Sequence, residues 1–405
     1  MFKHLFDKKN RIYGEWFFFA ALIARLIIST WDSTMFPSIG IVRKLALLVT
    51  LGGALITIVF YNTYTLSEII CMVAVGGCMA MHTLKTGSNV LFVLTLLVIA
   101  SKGIDFKKII KTYLIVVGSI VSFAILCSLI GAVVNLKYYM ADEGYFRNSF
   151  GIIYCTDFAA HVFFLTLAYF YLRADKLKLF EYVGAFLLTV LVYVTAKGKL
   201  DTTCMVITVV LFAIGNVINK DFSLSKVLKY RWNAIWQSFA PMFIVASSSM
   251  MVLLTILYDA NKAWMFELDD FITNRLSIGN KTFTENGFRL FGQRIKLEGN
   301  GGSIITPTGD EYNFLDCSYM YILVAWGAVT LLVIILLYVY AGYKNKKDMY
   351  LLYAIAIVSL NCMIAHHMTD IAYNPFTFMI MAAVVPVAKE RTLYVGEKVQ
   401  RCINF

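Results

Sequence analysis

Six cations and four acid/base groups stand apart from a chain otherwise built of apolar runs: Arg147, Lys197, Lys199, Arg275, Arg289 and Arg294, with Asp316, His366, His367 and Asp370. Arginine forks match phosphate oxygens two at a time, and lysine meets them as a point charge. A partly buried aspartate or histidine can take a proton from a hydroxyl. These are the residue types that a phosphate-linked substrate requires.

Each also has a plainer duty. Interfacial Lys and Arg snorkel to lipid headgroups or pair with nearby acids. Asp316 sits where it could cap a helix starting at Cys317. His366 and His367 are adjacent, so on a helix they point about 100° apart; with no further ligand close in sequence, no metal is expected. Asp157 and His161 lie one helical turn apart and read as a cap with a satisfied partner. Asp269 and Asp270 read as helix-cap or solvated acids. Arg25, inside an apolar run, stays open between a functional group and a snorkelling one. No P-loop, dinucleotide fingerprint or GxSxG elbow is present.

The elements that must position these groups are membrane helices. The chain has 405 residues, 60% hydrophobic and only 15% charged, with mean hydropathy +0.72, whereas soluble domains carry about 25% charged residues. Apolar runs near the roughly 20 residues that cross a bilayer recur throughout. About twelve are expected, near 14–31, 45–61, 67–82, 88–101, 113–134, 157–173, 179–196, 201–218, 236–258, 317–341, 349–366 and 373–388. The fold class expected is an all-α polytopic membrane protein, with residues 1–405 as a single membrane domain.

Lys3, Lys8, Lys9 and Arg11 precede the first run, which reads as a retained signal anchor with a cytoplasmic N-terminus. Alternate loops then hold the remaining basic clusters, among them Lys102/Lys107/Lys108/Lys111, Lys344/Lys346/Lys347 and the tail Lys389/Arg391/Lys398/Arg401. This satisfies the positive-inside rule and places the C-terminus in the cytoplasm too. The net charge of +11 is therefore mostly a topology signal, and nucleic acid is not an expected partner. The eight cysteines show no CxxC and no ligand spacing; packing as small hydrophobes is favoured over a Cys155–Cys317 disulfide.

Two external connections are long, 136–156 and 259–316, and long loops in compact proteins are commonly functional. In the larger, Leu268, Phe271, Ile272, Arg275 and Leu276, then Phe283, Phe288, Leu290 and Phe291, suggest short amphipathic helices at the membrane surface. Residues 298–310, EGNGGSIITPTGD, read as turns.

Four stretches carry a family resemblance. They are RNSFG (147–151), VTAKGKLD (194–201), NRLSIGNKTFTENGFRLFGQ (274–293) and YNFLDCSYMYILVAWG (312–327). In order and shared side, the set resembles the Wzy-type bacterial polysaccharide polymerases and, more distantly, the O-antigen ligases. The family usually has Ser-Arg where this chain has Ala-Lys at 196–197.

The resemblance implies a GT-C-like fold in the bacterial cytoplasmic membrane, with the active site on the external face. It implies transfer of a glycan from undecaprenyl diphosphate to a sugar hydroxyl of another lipid-linked unit, without cofactor or metal. Asp316, eleven residues before Gly327, falls where the ligases place a histidine and becomes the candidate base, with His366 or His367 in reserve. Arg147, Lys197 and Arg275 are the expected diphosphate ligands, with Lys199 a further substrate-binding cation. Arg289 and Arg294 would orient lipid or glycan, and Tyr312, Asn313 and Tyr319 would contact sugars. Partners would be the lipid-linked oligosaccharide, membrane lipid, a flippase and a chain-length regulator.

Two other readings share the span pattern: a ligase-type transferase using a different acceptor, and a flippase or transporter. Transporters tend to show repeats and broken helices, and the sequence displays neither.

Overall fold

In lipid, hydropathy cannot separate a lipid-facing helix from a central one, because both are apolar; small and polar residues mark the packed faces instead. The computed structural model, which describes residues 8–140, 144–220, 226–299, 301–302 and 312–385, sorts its helices in this way. The basic tail, Cys402 and most of the 298–310 turn segment lie outside the described residues. The chain runs α1 (Lys8–Asp32), α2 (Gly40–Ile56), α3 (Leu66–Thr86), α4 (Val90–Ala100), α5 (Phe106–Leu129), β1 (Lys137–Met140), β2 (Tyr145–Asn148), α6 (Cys155–Arg173), α7 (Leu179–Ala196) and α8 (Lys199–Lys220). It continues through α9 (Lys226–Ile256), α10 (Ala263–Phe271), α11 (Arg275–Asn286), α12 (Ser318–Tyr321), α13 (Ala328–Lys344) and α14 (Met349–Asn361).

Buried polar groups mark the centre. Helix α6 carries Asp157, His161 and Thr166, and its span is 72% buried, against 11% for α3. Every residue of α14 except Leu360 is buried, Ser359 and Asn361 included. Helix α7 instead exposes Leu179, Phe180, Phe186, Leu187, Leu191 and Val194 on its outer face.

Among the described residues, eight helices are long and apolar enough to cross a membrane: α1, α2 with its π-helical extension to Tyr61, α3, and α5 through α9. Three expected spans are shorter apolar helices, α4 with 11 residues, α13 with 17 and α14 with 13. The last, 373–388, is described as far as residue 385 and is not a long helix there: Pro375–Ile380 forms a 3-10 turn and the chain extends beyond it. It can do so because it is enclosed by protein, which supplies the partners that lipid cannot. Phe376 packs on Phe106 and Tyr171, Phe378 on Phe18, and Ala383 exchanges backbone hydrogen bonds with Ile104 and Phe106.

The expected tenth span is broken, contrary to the sequence reading. After α12 a π-helical turn, Ile322–Trp326, leads to Gly327 at φ 102°, and α13 starts afresh. Residues 289–293 of the large loop fill the break. Ala328 N and Val329 N donate to Arg289 O and Leu290 O (both 3.0 Å), while Gln293 N and Nε2 donate to Ala325 O and Val324 O (both 3.0 Å). A Cβ on Gly327 would stand 2.5 Å from Leu290 O and closer still to Gly292 N. Gly327→Ala is therefore expected to cost about 2 kcal/mol or more, from the left-handed φ and the backbone clash together. A thermal-unfolding comparison in detergent checks this against Gly184→Ala, where an added Cβ meets nothing within 4 Å.

Hydrogen bonds gather the connections at two ends. At one end Met35 N donates to Gly151 O, Gly302 N to Ile153 O, and the β1–β2 hairpin docks on the end of α7. This loop end also holds α10, α11 and residues 362–374. At the other end Asn62 reaches Ala100 O, Tyr171 reaches Asp348, and Lys344 reaches Ile380 O. The hairpin is the only sheet among the described residues.

Candidate functional site

The loop end draws together ionisable side chains from five separate stretches of sequence. Helix α11 supplies Arg275 at its first residue, and the helix start is fixed by Asp269 Oδ1, which accepts from Leu276 N (2.7 Å) and Ser277 N (3.2 Å). The cap role expected of Asp269 thus holds. Arg275 Nε donates to Ile364 O (3.2 Å), Nη1 to Thr273 O (2.9 Å) and Thr273 Oγ1, and Nη2 pairs with Asp316 Oδ2 at 3.2 Å. The Tyr312 hydroxyl donates to the same Asp316 oxygen at 3.4 Å. Asp316 does not cap α12: the cap residue is Cys317 and carries no side-chain cap bond. A small cleft of ≈ 220 Å³, part of it open to solvent, is walled by Arg275, Ile278, Phe314, Asp316, Cys317 and Met320.

Residues 362–374, beyond α14, carry the histidines. The rings of His366 and His367 lie 4.3 Å apart. His367 Nε2 stands 3.6 Å from Asp157 Oδ1, so Asp157 faces this cluster instead of serving as a simple cap. Tyr373 is stacked between two imidazoles, 3.7 Å from His367 and 3.9 Å from His161, and His161 Nε2 meets Ser33 Oγ at 2.8 Å. Burial lowers the pKa of His367 well below the usual imidazole value, reinforced by its neighbours His366 and His161. His366 is lowered too, chiefly by burial and further by Arg275, with Asp316 and Asp370 opposing. His366 is partly exposed, packs edge-on to Phe314 at 4.8 Å, and makes no imidazole hydrogen bond to a described residue.

A second cationic corner forms where the hairpin meets the hinge between α7 and α8. Arg147 Nε donates to Ala196 O (3.0 Å), its guanidinium lies 5.9 Å from the Tyr154 ring, and Asn148 Nδ2 donates to Thr195 O (3.3 Å). Lys197 ends α7 in the left-handed region, at φ 52°, with its ammonium over Tyr145 (4.6 Å) and Tyr193 (5.1 Å). Gly198 beside it allows the hinge to touch α6, since a Cβ there would lie 2.6 Å from that of Ala159. Lys199 begins α8 and is exposed. Asp201, two residues on and buried, accepts from Asn361 Nδ2 at 2.9 Å and feels both Arg147 and Arg275. It links the two corners.

Four expected site residues stand elsewhere. Tyr319 is fully buried: its hydroxyl donates to Ser359 O (2.8 Å) and meets Ser247 Oγ (2.9 Å), which makes it a core residue and not a sugar contact. Asn313 clamps two strands of the large loop, with Oδ1 accepting from Glu298 N (2.7 Å) and Nδ2 donating to Lys296 O (3.0 Å). Arg289 is exposed on the segment that fills the Gly327 break, and the Arg294 guanidinium lies over Gly87. Neither contacts Asp316 or the histidines. Tyr319→Phe is expected to lower stability by about 1–2 kcal/mol through its two lost hydrogen bonds while leaving turnover per folded molecule unchanged. Turnover lost at normal stability would return Tyr319 to the site.

Sequence reasoning missed Asp201, Asn361, Ser33 and Tyr373. Asp201 had a usable signal, as an acid inside an apolar helix defaults to a functional candidate; the others carry none. Arg25 and Asp370 wall a further small cleft with Val90, Leu94 and Leu97, so Arg25 faces an acid across protein. Cys155 and Cys317 are both free thiols. Among the described residues no three His, Cys, Asp or Glu side chains stand together as metal ligands.

Compared with known proteins, the chain matches no family model, no curated protein and no solved structure. Helix length and hydropathy make it a multi-pass membrane protein.

Proposed function

We propose that the protein polymerises lipid-linked oligosaccharide repeat units, moving the growing glycan from undecaprenyl diphosphate to a sugar hydroxyl of another lipid-linked unit. In this reading the loop end faces outward from a bacterial cytoplasmic membrane and both termini lie inside. The chain crosses about twelve times: eight long helices, α4, α12 with α13, α14, and the buried final segment. The observation that carries the reading is the meeting of Arg147, Lys197, Arg275–Asp316 and His366 at one end of the bundle, in the order the family resemblance implies.

The chemistry follows from the groups present. The acceptor oxygen bonds to the anomeric carbon, the bond from that carbon to the diphosphate oxygen breaks, and the diphosphate leaves with the electron pair. Arg147 and Lys197, both half-buried, neutralise that charge, with the exposed Lys199 beside them. The acceptor proton passes to a neutral imidazole. His366 suits this better than Asp316, because the Asp316 carboxylate is already engaged by Arg275 and by the Tyr312 hydroxyl, whereas the His366 imidazole makes no hydrogen bond to a described residue. The Gly327 break invites the transporter reading, but residues 289–293 fill it and take up Ala328 N, Val329 N, Val324 O and Ala325 O.

The test is purified protein in nanodiscs with a lipid-diphosphate-linked repeat unit, without nucleotide sugar or added metal. A ladder of longer glycans is expected. With a verified cognate substrate, no ladder removes the polymerase reading, and a single transfer to a foreign acceptor replaces it with the ligase one.

A further inference from the structure

Every nitrogen of the Arg275 guanidinium already has an acceptor or an ion-pair partner. Its Nε, Nη1 and Nη2 are each committed, to Ile364 O, to Thr273 and to Asp316, and its side chain is only 13% exposed. Three of these acceptors are fixed by backbone or by a tight turn: Thr273 and Asn274 both sit in the left-handed region, at φ 56° and 61°. Asp269 and the contact of α11 with Asn280 bonded to Thr255 O (3.0 Å) hold the helix itself. Asp316 is the exception, being a charged side chain at 24% exposure on the wall of the Arg275 cleft. It is the partner that an incoming anion can replace.

We propose that Asp316 is a resident stand-in for phosphate: its carboxylate occupies the seat on Arg275 that a phosphate oxygen of the lipid-linked donor takes, and the exchange readies His366 to accept a proton. This rests on the reading of the chain as a lipid-diphosphate glycosyltransferase. A carboxylate and a phosphate oxygen present the same acceptor geometry to a guanidinium. Once phosphate neutralises Arg275, the cation that opposes charge on His366 is cancelled. Asp316, set free, can then favour the imidazolium that forms. Donor binding and base strength become one event, and the ligand-free protein keeps its base weak.

The experiment measures binding of undecaprenyl diphosphate without sugar to the full chain in nanodiscs, so it does not depend on turnover. Asp316→Asn keeps the shape and removes the competing charge. Its affinity is expected to rise roughly tenfold over wild type, within the range usual for coupled sites, while kcat in glycan transfer falls, so that KM and kcat drop together. In an Arg275→Gln background the same substitution should leave affinity unchanged, since no seat remains to compete for. If Asp316→Asn does not fold, Asp316→Ser is read in its place. Equal or weaker binding by the folded Asp316 variant overturns the stand-in role and leaves the transferase reading untouched. Absence of binding by wild type and variant alike overturns both.

Discussion

Arg147→Ala is expected to reduce glycan transfer about 100-fold or more, the loss typical when one preorganised donor to a developing negative charge is removed. Its Nε is spent on Ala196 O, which fixes the plane of the guanidinium and leaves its other edge for two parallel bonds to phosphate. The same bond raises a structural alternative, that Arg147 merely pins the hairpin to α7. Asn148→Ala separates the two, because Asn148 also ties the hairpin to that helix end through Thr195 O but adds no charge. Transfer near the wild-type rate in Asn148→Ala, with Arg147→Ala inactive at normal expression, supports the phosphate role. Equal losses in both would make the corner structural. Arg147→Lys should recover little, since lysine cannot form the fork.

His366→Gln is expected to cost about 100- to 10,000-fold in kcat, the usual contribution of a positioned general base. The pH profile carries the sharper prediction. Burial holds the His366 pKa below the ordinary imidazole value, so the ring is neutral throughout the neutral range and protonates only under more acid conditions. The kcat/KM for transfer, which reports the ligand-free enzyme, should therefore be flat from about pH 8 down past the reference histidine value near 6.5, then fall. Both His366 and His367 are depressed in the fold. Their contribution to stability is fully present above the unfolded value near 6.5 and is lost as pH falls from there towards the folded values. The acid limb is accordingly read only where circular dichroism is unchanged. An identical acid limb in the residual activity of His366→Gln would assign the proton to another group.

Parts of this arrangement were legible in the sequence because they depend on local chemistry. Ten of the expected apolar runs became single helices, with bounds shifted by up to ten residues at the start of α9, and the two long connections did gather at one end with Arg147, Lys197 and Arg275. Asp269 could be read as a cap because capping is a matter of a few residues. What escaped depends on tertiary contacts. The apolar run from 317 to 341 is continuous in sequence, and it breaks because residues 289–293 insert beside Gly327. Residues 373–385 have the hydropathy of a span, yet they need no helix once α1, α5, α6 and α13 enclose them.

The site shows the same division. Tyr319 resembles a sugar-stacking tyrosine at a span boundary, but the turn of α12 directs it at Ser247 and Ser359 in the core. Asp201 was quoted within a recognisable stretch and still overlooked, because its partner Asn361 lies 160 residues away. The choice between Asp316 and His366 as base could not be made from spacing. It rests on which of them Arg275 holds.

The central claim is that each glycosidic bond is made at the expense of one lipid diphosphate. The direct measurement is the amount of undecaprenyl diphosphate released per repeat unit added, followed by mass spectrometry during elongation by the purified protein in nanodiscs. One lipid diphosphate is expected to be released for every new linkage, with no nucleotide sugar present. Chain growth without release of lipid diphosphate, or release without growth when acceptor is abundant, would contradict it.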